Sequence, residues 1–569
     1  MSRLPRASLP LAITLLASAC ASTGAPPDSA HTPHAVIHEV DVPQIRHPAG
    51  ETPAWWFRDG AAQAAERGAM SGQAKNVILF IGDGMSLTTV AAARILDGQR
   101  KGGPGEENRL SWERFPATAL SKTYNTDSQT PDSAGTMSAM ATGVKTRAGV
   151  LSIGQQAMRK DCATAQTVPM LTLWELAASR GFATGVVTTT RVTHATPGAT
   201  FTHSADRNWE NDTELTDEAK AAGCVDIARQ LVETPFGHGP DVLMGGGRKN
   251  FMPAQERDPE YDDKVGERLD GRDLVAQWKQ RHPDGTYVWN ARQLADAPAR
   301  GPLLGLFEPD HMQFSHDRPR DGAGEPTLAE MTRAAIARLQ QNPKGYVLLV
   351  EGGRIDHAHH YGNAYRALTD TIALSEAVQA AADATSAQDT LILVTADHAH
   401  TLSFVGYPRR GNPIFDKVRG SSGEDGENGA YALDQLGLPY TTLSYSNGPG
   451  YVGESAQQPE GPKHFLHSSS GVQVPKKGRP DLRNVDTQDP DYLQEALVPT
   501  AAESHGGDDV GIWARGPGSE AVRGSVEQNT IFHFLLQAMP ALRTELCKAG
   551  DCEDGVPVTL PDPSKFRGS

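Results

Sequence analysis

Short apolar runs, bounded by glycines and followed by stretches of helical periodicity, recur along the chain. Such alternation is typical of a mostly parallel sheet that is covered by helices on both faces. The pattern therefore predicts an α/β fold in which a central, mostly parallel β-sheet is sandwiched by helices. The apolar runs lie at residues 77–81, 184–189, 346–350 and 391–395.

Two long segments interrupt this alternation. Residues 405–500 are polar and rich in Gly, Ser, Pro and Asn, and they are far too long for an ordinary connection, so we expect an insertion beyond the sheet. Residues 245–325 carry several acids and aromatic side chains. The predicted division is a signal segment at 1–20, a flexible tether at 21–50, an α/β domain at 51–404 and 501–546, the insertion, and a tail at 547–569.

Composition limits the classes of function. The 569 residues are 38% hydrophobic and 21% charged, which is ordinary for a globular protein with a large core. The formal net charge of −16 argues against a nucleic-acid partner, because phosphate backbones are bound by Lys and Arg surfaces. An anionic substrate would therefore need a local positive centre.

The start of the chain has the layout of an export signal. Arg3 and Arg6 precede an apolar stretch, and small residues then lead to Cys20. The residues before Cys20 resemble a bacterial lipobox, although Ala17 stands where a branched aliphatic residue is usual. We expect an exported protein, periplasmic or anchored to the outer membrane by a lipid on Cys20; ordinary signal cleavage nearby is the alternative.

The remaining cysteines fit an oxidising compartment. Their number is even, which suits two disulfides, and Cys547 and Cys552 could close a short local loop. Four free or metal-binding thiols are the alternative, but zinc-finger spacing is absent. The four residues are Cys162, Cys224, Cys547 and Cys552.

Metal-ligand chemistry follows each of the four apolar runs. In open α/β sheets, ligands bind outside the carboxyl ends of the strands, so these side chains should meet at one edge. Asp356 and His360 lie four residues apart, and a helical turn would place both on one face. Zinc suits mixed imidazole and carboxylate ligands, whereas magnesium prefers oxygen. The residues that follow the runs are Asp83, His194, Glu351, Asp397 and His398.

Ser133 stands at a predicted turn into a helix of small residues. A phosphate on this serine would meet the free N–H groups of a helix N-terminus. Taken alone, Ser133 or Asp132 could equally be an ordinary helix cap.

Together these segments resemble alkaline phosphatases, and the animal-type enzymes more than the enterobacterial enzyme. The resemblance rests on residues 131–136, 186–197, 350–360 and 397–400, with Asn208 and Trp209, and extends over about 55–546. It implies hydrolysis of phosphate monoesters through a phosphoserine on Ser133, with Arg207 clamping the phosphate. It also implies an α/β sandwich with a crown-like insertion, and a homodimer in which a helix at 55–67 packs on the partner subunit.

The same resemblance implies two Zn²⁺ ions, one Mg²⁺ ion and a Ca²⁺ ion. The implied zinc ligands are Asp356, His360 and His505 for one ion, and Asp83, Asp397 and His398 with Ser133 for the other. The magnesium set is Asp83, His194, Thr196 and Glu351, and the calcium set is Glu260, the Phe307 carbonyl, Glu308 and Glu325. His194 replaces the acid of the enterobacterial pattern, which puts strict magnesium selectivity in doubt.

Two other functions remain open at this point. A phosphodiesterase or sulfatase could share the scaffold, but the Arg207 guanidinium favours a dianionic monoester. A non-catalytic surface protein that binds phosphate or metal would have no need of the nucleophile, which is present here.

Overall fold

The computed structural model describes residues 37–45, 48–420 and 430–568. The predicted signal segment with Cys20, most of the predicted tether, and residues 421–429 of the predicted insertion lie outside the described residues. No helix of the described part is both long enough and apolar enough to cross a membrane.

The helices and strands follow in chain order. The helices are α1 (Pro53–Glu66), α2 (Leu87–Arg100), α3 (Ser133–Thr142), α4 (Cys162–Ala165), α5 (Leu173–Ser179), α6 (Ala195–Gly198), α7 (Asp217–Ala221), α8 (Ile227–Glu233), α9 (Leu274–Arg281), α10 (Ala291–Asp296), α11 (Leu328–Leu339), α12 (Arg354–His360), α13 (Ala364–Ala384), α14 (Thr530–Ala538) and α15 (Pro540–Ala549). The strands are β1 (Asn76–Gly82), β2 (Ala117–Lys122), β3 (Ala183–Arg191), β4 (Val242–Gly246), β5 (Thr286–Val288), β6 (Leu303–Leu306), β7 (Tyr346–Gly352), β8 (Thr390–Ala396), β9 (Ala399–His400), β10 (Leu402–Phe404), β11 (Leu443–Asn447), β12 (Ala496–Val498), β13 (His505–Gly506), β14 (Val510–Arg515), β15 (Arg523–Glu527), β16 (Cys552–Glu553) and β17 (Val556–Pro557).

A ten-stranded sheet runs through the molecule in the order β15-β2-β14-β8-β1-β7-β3-β4-β6-β5. Its strands pair in parallel, except that β14 is antiparallel to both β8 and β2. The four predicted apolar runs are the adjacent strands β8, β1, β7 and β3. The predicted α/β fold with a mostly parallel sheet is therefore confirmed.

Both faces of the sheet are buried. In β1, Leu79 belongs to one hydrophobic core, whereas its neighbours Ile78 and Phe80 belong to the other. Successive side chains of a strand point to opposite faces, so a strand that is covered on both sides reads as a continuous apolar run. This is why β1 could be recognised as a short uninterrupted apolar run.

Helix α1 is present where a helix was expected, but its buried face packs within the same chain. Phe57 is fully buried, and its ring lies 5.7 Å from that of Phe532 and 4.7 Å from that of His533 on α14. Asn529 donates a hydrogen bond to the Trp56 carbonyl. The small residues along α1 allow this close packing, so this face of the helix forms part of the chain's own core.

Smaller sheets lie outside the large one. Strands β10, β11 and β12 form a three-stranded sheet, and β9 pairs with β13 so that His400 lies opposite His505. The structure forms two disulfides, Cys162–Cys224 and Cys547–Cys552, with Cα atoms 5.9 Å and 5.5 Å apart. Two disulfides are typical of a protein that matures in an oxidising compartment.

Candidate active site

The carboxyl ends of β8, β1, β7 and β3 bring the predicted metal ligands together. Asp83 directly follows strand β1, and Asp397 and His398 directly follow β8. Glu351 is the last residue but one of β7. All four of these side chains are fully buried. The strands are adjacent and parallel, so the residues that follow them converge at one edge of the sheet.

The first group of ligand atoms joins α12 to β13. His360 Nε2 lies 3.3 Å from Asp356 Oδ1, and His505 Nε2 lies 3.3 Å from the same oxygen. The two imidazole nitrogens are 3.1 Å apart. Asp356 and His360 share one face of a helical turn, as their spacing predicted, and one carboxylate with two imidazoles is a typical zinc set.

The second group surrounds the serine. His398 Nε2 lies 3.3 Å from Asp83 Oδ1 and 3.3 Å from Asp397 Oδ2. Ser133 Oγ lies 3.1 Å from His398 Nε2 and 3.4 Å from Asp83 Oδ1. The hydroxyl therefore faces the same space as the two carboxylates and the imidazole.

The third group contains Asp83, His194 and Glu351. Three buried atoms in it have no hydrogen-bond partner in the described residues: Asp83 Oδ2, His194 Nδ1 and Glu351 Oε1. Thr196, on α6, is fully buried beside the Glu351 carboxylate. Buried polar atoms are rarely left unpaired, so the two carboxylate oxygens, Asp83 Oδ2 and Glu351 Oε1, fit a bound cation.

Burial and mutual repulsion dominate the electrostatics of these acids. Burial, followed by the nearby carboxylates of Asp397, Asp356 and Glu351, raises the pKa of Asp83 well above its usual range. Burial also raises the pKa of Glu351, to about 7, although threonine hydroxyls partly oppose the shift. Several buried carboxylates that face one another are stable as anions only when positive charge lies among them.

Helix α3 presents Ser133 at its first position. Asp132 is the N-cap, and its Oδ1 accepts hydrogen bonds from the N–H groups of Gly135, at 3.1 Å, and Gly149, at 2.9 Å. Arg207 Nη1 donates to Asp132 Oδ2 at 3.1 Å. Burial would raise the pKa of Asp132, but Arg207 and the two N–H donors hold it below its usual value.

Arg207 also contacts the third group, since its Nη2 lies 3.0 Å from His194 Nε2. A guanidinium only donates, so Nε2 accepts this hydrogen bond, and in the neutral ring the proton then sits on Nδ1. In this arrangement the unpartnered Nδ1 is a donor and has no lone pair for a metal ion. His194 could act as a direct ligand only after Arg207 turns away.

His400 contacts the first group, although no role was predicted for it from the sequence. Its Nε2 lies 2.7 Å from Asp356 Oδ1, and its Nδ1 lies 2.5 Å from Glu503 Oε2. Burial opposes the charged ring, but Glu503 and the hydrogen bonds to both carboxylates raise the pKa of His400 to about 10. The spacing of His398 and His400 was a signal in the sequence, but the contact with Glu503 depends on the pairing of β9 with β13.

A separate acidic group lies in the segment 245–325. Oxygens of Glu260, Glu308 and Asp321 approach one another, and the side chain of Glu260 is only 5% exposed. Glu260 Oε1 and both oxygens of Asp321 have no partner in the described residues. Asp321 was not among the predicted calcium ligands. The predicted ligand Glu325 lies outside this compact group and accepts hydrogen bonds from the Gln313 N–H. Phe307 is buried directly before Glu308.

Residues 74–541 match the family model for alkaline phosphatase. The chain belongs to the alkaline phosphatase family. It is similar to the tissue-nonspecific alkaline phosphatase of Felis catus, with 43% identity over 472 residues, covering 82% of this chain and 83% of the relative. The tissue-nonspecific enzyme of Homo sapiens is 42% identical over 473 residues, with the same coverage, and the alkaline phosphatase of Gadus morhua is 42% identical over 473 residues, covering 82% and 92%.

Solved alkaline phosphatases share the fold. That of Thermus thermophilus aligns with a TM-score of 0.57 and 26% identity, covering 83% of this chain and 92% of the other. That of the Antarctic bacterium TAB5 aligns with a TM-score of 0.52 and 20% identity, covering 82% and 98%. The family identifies the chain as an enzyme that hydrolyses phosphate monoesters, and the resemblance to the animal-type pattern is confirmed.

Proposed function

We propose that this alkaline phosphatase acts through a phosphoserine on Ser133. The observation that carries the proposal is the position of the Ser133 hydroxyl, 3.1 Å from His398 Nε2 and 3.4 Å from Asp83 Oδ1 at the start of α3. In the first step Ser133 Oγ attacks phosphorus and the P–O bond to the alcohol breaks. The serine loses its proton, and the departing alcohol takes one up. Water then cleaves the phosphoserine, which releases inorganic phosphate and restores the serine.

The donor sets fit two zinc ions and one magnesium ion. Asp356, His360 and His505 would hold one zinc ion, and Asp83, Asp397 and His398 with Ser133 would hold the other. Asp83, Thr196 and Glu351, with His194 nearby, would hold magnesium. When bound, these ions supply positive charge that offsets the buried carboxylates and stabilises the anionic phosphoryl group.

Arg207 is proposed to bind two oxygens of the phosphate. Its guanidinium is held by Asp132, the N-cap of α3, so the clamp and the nucleophile are positioned by one short segment. A planar fork of donors matches a dianionic phosphoryl group, whereas a second ester group would remove one of the oxygens that it binds. The guanidinium fork therefore favours monoesters over diesters.

The acidic group in segment 245–325 is proposed to hold Ca²⁺. Glu260, Glu308 and Asp321, with the Phe307 carbonyl, supply the oxygen donors that calcium prefers. Burial and neighbouring acids raise the pKa of Glu260 to about 8 and that of Glu325 to about 9. Glu325 would act as a ligand only if it moved toward the group, whereas Asp321 is already in place.

Assembly, division into domains and export are also proposed. We expect a homodimer that uses the insertion 405–500 as a crown-like contact surface, because large apolar side chains are exposed there. We keep the division into an α/β domain at 51–404 and 501–546 and a tail at 547–569. Export with lipid attachment at Cys20 rests on the sequence alone. The exposed apolar side chains of the insertion, on which the dimer proposal rests, include Tyr407, Leu436, Val474 and Leu497.

Replacement of the nucleophile tests the phosphoserine. Ser133→Ala should abolish covalent trapping of labelled phosphate, because the variant lacks the hydroxyl that lies beside His398 and Asp83. Ser138→Ala is the matched control, since Ser138 lies on the same helix but bonds to the Val150 carbonyl. Acid-quenched labelling of both variants measures the trapped phosphate. Normal labelling of Ser133→Ala would refute the assignment.

Arg207→Ala tests the preference for monoesters. We expect kcat/KM for an aryl phosphate monoester to fall by about 10²-fold or more, because transition-state charge loses a bidentate donor. Turnover of a bis-aryl phosphodiester should fall much less. The control is Arg159→Ala, whose guanidinium pairs with Asp206 next to Arg207. Equal losses on both substrates would contradict the clamp.

The calcium proposal predicts a stability effect. Calcium added to protein that holds zinc and magnesium should stabilise the fold by about 3 kcal/mol at 100 times its Kd. The midpoint temperature of thermal unfolding should rise with calcium in the unaltered chain and in the control variant Asp262→Asn. Asp262 is a nearby acid outside the group. Asp321→Asn and Glu260→Gln should lose the shift. An unchanged shift in both variants would rule out this site.

A further inference from the structure

A cavity of about 480 Å³ lies between α12, the loop after β6 and the insertion. Ser133 and Arg207 do not line it. Its size falls in the range of small-molecule sites in proteins. The lining residues that carry the argument are Phe314, Asp317, Asp321, Arg354, Tyr361 and Phe465.

Arg354 brings a half-buried cation to this cavity. Its Nη1 lies 2.9 Å from His357 Nδ1, and its buried Nε has no hydrogen-bond partner in the described residues. Among those residues it forms no ion pair. A guanidinium that is removed from water without an opposite charge is costly, so its position at a cavity points to an anionic ligand.

The acids around the cavity form no ion pair with Arg354 in the described residues. Asp317 pairs with Arg366 at 2.7 Å and with Arg320 at 3.5 Å. Asp321 belongs to the proposed calcium group. Asp370, the acid with the largest charge interaction with Arg354, accepts hydrogen bonds from Ser315 and forms no ion pair with Arg354 in the described residues. Arg354 is therefore a cation of the lining that acids act on only at longer range.

Three aromatic rings line the cavity, and the guanidinium of Arg354 lies over one of them. It lies 3.8 Å from the ring centroid of Phe314. The ring of Phe465 lies 6.1 Å from that of Phe314 and 5.3 Å from that of Tyr361, in edge-on arrangements. Such a set of rings favours a flat apolar group next to the charge.

We propose that this cavity binds small aromatic carboxylates. The carboxylate would accept hydrogen bonds from Arg354, and the ring would pack against Phe465 and Tyr361. The proposal concerns a site other than the one at Ser133, and it does not depend on the proposed phosphoserine.

Benzoate is the probe for this site. It is titrated calorimetrically into the full chain in the presence of saturating inorganic phosphate, which occupies the phosphatase centre. We expect a Kd of about 1 mM, the range of a fragment-sized ligand. Benzyl alcohol, which has the same ring without the charge, should bind about tenfold more weakly. No binding of benzoate in the presence of phosphate, at benzoate concentrations up to about ten times that Kd, would overturn the proposal.

Two variants and one control locate the ligand. Arg354→Gln should weaken benzoate about tenfold or more, because a charge-assisted pair of hydrogen bonds is lost. Phe465→Ala should weaken the binding of benzoate about fivefold. Phe465 lies outside the helix that carries the metal ligands, so this variant decides the test if Arg354→Gln does not fold. Arg515→Gln is the control. Like Arg354, Arg515 lies over an aromatic ring, that of Phe115, and has a buried Nε without a hydrogen-bond partner in the described residues. Unlike Arg354, it does not line the cavity. Unchanged affinity in folded Arg354→Gln, or in Phe465→Ala, would overturn the assignment.

Discussion

Repulsion among buried carboxylates at the edge of the sheet is the constraint on which the site depends. Asp83, Glu351 and Asp397 are all buried, and Asp83 shares one group of ligand atoms with Glu351 and another with Asp397. Burial alone would drive protons onto these acids, and their mutual repulsion adds to that tendency. Bound cations would remove both penalties, and the resulting positive centre would attract a phosphate dianion to a protein whose net charge is −16.

The parallel sheet explains how residues so far apart in sequence reach one point. Adjacent strands β8, β1, β7 and β3 end at the same edge, and each continues into a loop or short helix that carries ligand atoms. Both faces of these strands are packed in hydrophobic cores, which leaves little freedom for the strand ends. The rigid framework thus fixes the spacing of side chains that would otherwise repel one another.

Much of this arrangement could be predicted because its signals are local. Apolar runs predicted the four central strands, and the four-residue spacing placed Asp356 and His360 on one helical face. The contact of His400 with Glu503 could not be predicted, because it links residues that are 103 positions apart through strands of two residues each. Asp321 was missed because one acid in an irregular loop has no periodicity, and its position beside Glu260 depends on the tertiary fold.

The most direct test of the metal-dependent phosphatase is hydrolysis of an aryl phosphate monoester at alkaline pH by the mature protein. The rate is measured before chelation, after chelation, and after zinc and magnesium are restored. The account predicts that activity vanishes with the chelator and returns with the metals. Activity that persists after complete removal of metal, or inactivity with all metal sites filled, would contradict it.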